Sequence, residues 1–107
     1  MGGPSQTRLA SIYGINMNHE VIGLTVIKKG RSVIFSLPGH TCPIHPSNAD
    51  SPDGWIREAV LAFDLTNVVE VSEVLGTARC VEVAKELHLK AEKLKAADLQ
   101  KKKSDGL

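Results

Sequence analysis

Apolar residues in the first forty positions follow no helical spacing; from Arg8 onward Ile, Val, Tyr and Phe come in short runs broken by Gly, Asn and Pro. Such punctuation marks strands and turns. The pattern predicts strands over about 9–16 (LASIYGIN), 20–28 (EVIGLTVIK) and 32–37 (SVIFSL). Lys29-Gly30-Arg31 supplies the glycine a tight hairpin turn uses for positive φ, so the first third is expected to be an antiparallel meander. The near-continuous apolar run Val21, Ile22, Leu24, Val26, Ile27 makes the second strand the central one.

Pro38 to Asp53 holds four prolines with Asn48, Asp50 and Ser51, and is expected to be a long irregular loop of the kind that carries binding or function. Ser51-Pro52-Asp53 then reads as a helix start, with Ser51 as N-cap and Pro52 at the first helical position. A short amphipathic helix through Trp55, Ile56, Ala59, Val60, Leu61 and Phe63 would end near Asp64. Thr66 to Val71, rich in β-branched residues, is expected to form a fourth strand; the competing assignment starts a helix at Thr66.

From about Ser72 the period changes. Val74, Ala78, Val81, Ala84, Leu87, Ala91, Leu94 and Ala97 recur at steps of three and four, predicting one long helix to about Lys101, with Thr77 as its alternative N-cap. Such a helix would be about 35 Å long, more than a body of this size can cover. The fold class that follows is α+β: a mainly antiparallel sheet of three or four strands, one short helix and one long C-terminal helix. Residues 8–101 would form a single domain, between a flexible arm at 1–7 and a flexible tail at 102–107.

Composition narrows this further. The 107 residues are 42% apolar and 23% charged, close to globular averages, which excludes collagen-like and wholly disordered classes. No apolar run is long enough for a membrane helix and no leader pattern opens the chain, so a cytoplasmic, non-membrane protein is expected. Without a secretion pattern, Cys42 and Cys80 are expected as free thiols. Charge is uneven along the chain: residues 1–84 carry six basic and eight acidic side chains, residues 85–107 seven lysines and four acids.

Chemistry-bearing residues cluster once, at His40, Cys42 and His45 within Pro38–Pro46. As zinc ligands they are one short of a tetrahedron, and Cys80 and His88 are spaced too far apart to supply a second pair, so no cofactor is predicted. As a nucleophile Cys42 would need an oriented imidazole, and no third residue orients one. Lys95 and Lys101 to Lys103 could meet phosphates, but acids interleave the run and lysines favour helix C-termini in any case. Leu87, Ala91, Leu94 and Ala97 are expected to exceed the sheet's reach and to meet a second copy.

IYGIN with GLTVIKKGRS resembles the first hairpin of RuvC-type Holliday junction resolvases and other RNase H-like proteins, and VVEV followed by LGTARCVEVA is similar to their acidic strand and next helix. The likeness spans about residues 10–84. It implies a magnesium-dependent nuclease whose acidic positions fall on Asn16 and Glu70; asparagine lacks the charge a hard divalent cation takes, so the resemblance implies a core without cleavage activity. The combined expectation is a non-catalytic binding protein, a homo-oligomer through its C-terminal helix, that recognises a ligand or protein partner with residues 38–55, His40, Cys42, His45 and Trp55 among them; core packing is the alternative role for Trp55. The alternatives are a nucleic-acid binder on a degenerate RNase H-like core and a metal- or thiol-dependent enzyme of the His40/Cys42/His45 loop.

Overall fold

The structure, a computed structural model, describes residues 6–105, with side-chain surroundings as far as Leu99. Five strands form one antiparallel sheet: β1 (Gln6–Ile15), β2 (Val21–Lys29), β3 (Ser32–Leu37), β4 (His40–Pro43) and β5 (Thr66–Ser72), in the order β4-β3-β2-β1-β5. Helix α1 (Pro52–Phe63) links β4 to β5, and α2 (Gly76–Asp105) ends the described chain.

The meander forms as the pattern predicts, with β2 between β1 and β3. Asn16 closes the first turn, its Oδ1 accepting from the backbone N–H groups of Asn18 and Glu20 at 2.9 and 3.0 Å. Residues 38–53 differ from expectation, because β4 and a 3-10 turn at Pro46–Asn48 stand where an irregular loop was predicted. Leu37 pairs with His40 around Pro38-Gly39, and Gly39 has φ +88°, the arrangement of a type II turn. The turn hands a four-residue segment to the free edge of β3, and an edge strand tolerates Pro43. At the two ends Gln6 and Thr7 belong to β1 and residues 102–105 continue α2, where an arm and a tail were expected; residues 1–5, 106 and 107 lie outside the described part.

Strand alternation gives the sheet two faces. One carries Ala10, Ile12, Leu24, Val26, Val33 and Phe35, packed under Trp55 and Ala59 of α1 and closed by Ile44 and Leu65. Phe35 meets Phe63 edge-on, with ring centroids 6.1 Å apart. The other face offers Ile15 and Val71, with Tyr13, Val21 and Val69, to Val83, Leu87 and Ala91 of α2. The protein is therefore three layers, but α2 covers only the β5–β1 side of its face and crosses no further than β2.

Ser51 caps α1 as predicted, its Oγ accepting from Gly54 N, with Pro52 at the first helical position; Asp64 ends the helix in the left-handed region. α2 is longer than predicted. Its 30 residues span about 45 Å and draw the molecule out to 65 × 28 × 25 Å.

Gly54 sits where the first turn of α1 presses on the 3-10 turn, and a Cβ there would overlap the Asn48 carbonyl. Since that neighbour is backbone and cannot rotate away, Gly54→Ala should lose about 1–3 kcal/mol of stability, measured as a lower denaturation midpoint with an unchanged m-value.

Candidate functional site

The predicted recognition segment divides once it is folded. His40 and Cys42, two residues apart on β4, turn toward the α1 side of the sheet, where Cys42 is half-buried against the core while His40 stays exposed. His45 is exposed and spent locally: its Nδ1 lies 2.8 Å from Ser47 Oγ and accepts from Ser47 N at 3.2 Å. The three therefore do not converge, and among the described residues no group of three His, Cys, Asp or Glu side chains is placed to hold a metal ion.

Trp55 takes the core position that was the alternative to recognition. It is 8% exposed, packs in the α1 core, and donates from Nε1 to the Ala49 carbonyl at 2.8 Å. Burial with a satisfied indole N–H makes it the peg that ties α1 to the preceding turn. Its remaining rim borders an open hollow of about 490 Å³ flanked by Lys28, Arg31 and Asp50.

The predicted oligomer residues also divide. Leu87 and Ala91 are 5% and 4% exposed and hold α2 to its own sheet, so neither is free for a second chain. Leu94 is 37% exposed and Ala97 fully on the surface. Lys95 is exposed, while the side chains of Lys101, Lys102 and Lys103 lie outside the described part. Asn16 is committed to its turn and also bonds Glu20 through Nδ2, whereas Glu70 stands opposite Ile12 in mid-strand; the two do not form an acidic pair.

The polar convergence that inspection of the sequence missed lies on the α2 face. Arg8, Ser11 and Tyr13 of β1, Thr25 of β2, Ser72 and Glu73, and Gly76, Thr77 and Cys80 of α2 line a cleft of about 240 Å³. A β-bulge builds it: the register of β1 with β2 slips at Leu9, so Leu9 and Ala10 both pack toward α1 and Arg8 falls on the side of Ser11. Gly23 pairs with Tyr13, and the phenol ring lies 3.1 Å from where a Cβ would stand, so a side chain there would press on the ring. Ser11 is 7% exposed. Arg8 reaches Glu73 at 3.9 Å, a loose and exposed ion pair.

Burial raises the Tyr13 phenol above its ordinary pKa, and the adjoining Cys80 thiol pushes the same way; the Ser11 hydroxyl and Arg8 act in the opposite sense. The cleft is rich in donors and holds no histidine. It is smaller than pockets that take drug-sized ligands. Its parts were visible as hydroxyl residues at alternate positions of β1 and β2, but only the register brings them to one place.

No family model matches the chain, and no curated protein or solved structure matches it. No helix among the described residues is long and apolar enough to cross a membrane.

Tyr13 is the only tyrosine, so its ionisation can be followed directly in the ultraviolet. The midpoint should lie above 10; Cys80→Ala should bring it part of the way down, leaving the larger share due to burial. A folded-state pKa above the unfolded one means the native protein holds its proton longer. Stability should therefore fall as pH rises above about 10, through the window between the two values.

Proposed function

We propose that the protein is a non-catalytic binding module that works as a self-associated unit joined through α2, with the Arg8–Cys80 cleft as its ligand pocket. The carrying observation is the bare length of α2. Val81, Leu89 and Leu99, on the side of α2 away from the sheet, are 47, 66 and 60% exposed. Apolar side chains in series along a rigid rod are favoured against a partner, and a second copy is always at hand. The cleft supports a binding role because hydroxyl, thiol and charged side chains from several elements converge on it.

Sedimentation equilibrium tests the reading. The full chain should be a discrete oligomer at micromolar concentration, and truncation after Glu92, which leaves Val83, Leu87 and Ala91 on the sheet, should give a folded monomer. Leu87→Ala should behave differently, costing about 2–5 kcal/mol of fold stability as a core truncation rather than simply dissociating the assembly. A full chain that stays monomeric at 100-fold higher concentration would sink the proposal.

A further inference from the structure

α2 carries two apolar stripes, not one. At about 100° per residue, Cys80, Val83, Leu87, Ala91 and Leu94 share the side that meets the sheet, while Ala78, Val81, Leu89, Ala96 and Leu99 share the opposite side. The exposures agree: Val83, Leu87 and Ala91 are buried, whereas every member of the outer stripe faces solvent. Sheet packing accounts for the first stripe as far as Ala91. It gives no reason for the second.

The outer stripe is symmetric in sequence. About the midpoint between His88 and Leu89, Lys85 is mirrored by Glu92, Val81 by Ala96 and Ala78 by Leu99. Two copies of α2 laid antiparallel with a two-fold axis at that midpoint would set Lys85 of each against Glu92 of the other. They would also set Val81 on Ala96 and Leu99 on Ala78, a large apolar residue against a small one, with Leu89 beside His88 at the axis. A shallow groove of about 380 Å³ bordered by Lys85, His88, Leu89 and Glu92 lies at this point, where the axis would emerge.

Net charge selects the same direction. The segment 93–105 carries five lysines and two aspartates, while residues 76–92 carry three basic and three acidic side chains. Parallel pairing would bring the two lysine-rich ends together; antiparallel pairing puts them at opposite ends of the dimer. Because the outer stripe points away from the sheet, the two bodies would lie on opposite sides of the helix pair without collision.

We propose, resting on the self-association reading above, that the partner is a second copy of this chain docked antiparallel along Ala78–Leu99, with the two-fold axis between His88 and Leu89. The interface is isologous, as closed dimers require.

Single cysteines placed in a Cys42→Ala, Cys80→Ala background test the geometry. Under mild oxidation Leu89→Cys should form a disulfide-linked dimer, because the two copies of position 89 flank the axis. Leu99→Cys should not, since its copies would stand about 30 Å apart. Charge exchange tests the pairing independently: Lys85→Glu and Glu92→Lys should each weaken dimerisation about tenfold, and the double variant should recover it. A dimer in which Leu99→Cys cross-links as well, in which Leu89→Cys stays reduced, or in which the double exchange fails to recover association would overturn this pairing while leaving self-association standing. A monomeric full-length chain would overturn both.

Discussion

Three side chains, Val83, Leu87 and Ala91, fasten α2 to Ile15 and Val71 of the sheet, and the remaining architecture of that face follows from how little they cover. The anchor occupies barely two and a half turns of a 30-residue helix. Everything after Ala91 leaves the sheet, and everything on the far side of the helix faces away from it. A rod held only along the middle of its N-terminal half has two consequences: it borders the Arg8–Cys80 cleft with its first turns, and it presents an unshared apolar surface along its length. The candidate ligand site and the candidate assembly surface are thus opposite sides of one element.

The other face of the sheet is finished. Phe35, Ile12, Leu24 and Val26 are fully covered by α1, and Trp55 pins that helix through a hydrogen bond to Ala49. The centre of that face is an ordinary close-packed core. The asymmetry explains why the histidine- and cysteine-bearing segment, prominent in one dimension, contributes little: β4 lies at the sheet edge over the finished core, so Cys42 is drawn inward and His45 is used to cap a turn.

Local signals carried much of the architecture. The meander, the Ser51-Pro52 helix start and the long terminal helix were legible because each rests on neighbours in sequence: alternation, a cap three residues ahead of its amide, a 3.6-residue period. β4 was not, since His-Thr-Cys-Pro has little strand propensity of its own and pairs only because a Pro-Gly turn delivers it to a free edge. The same limit hid the cleft. Arg8 and Cys80 are 72 positions apart, and Arg8 reaches that side only because the bulge at Leu9 reverses the strand's parity.

What the amino-acid order determined by itself was the set of elements and the surplus of apolar residues on the last helix, because periodicity and turn chemistry act over four or five residues. Which of those apolar residues became core and which stayed bare was decided only in three dimensions. Leu87 and Leu89 are chemically identical and two positions apart, yet one is 5% exposed and the other 66%, because the sheet has a single side on which to receive the helix.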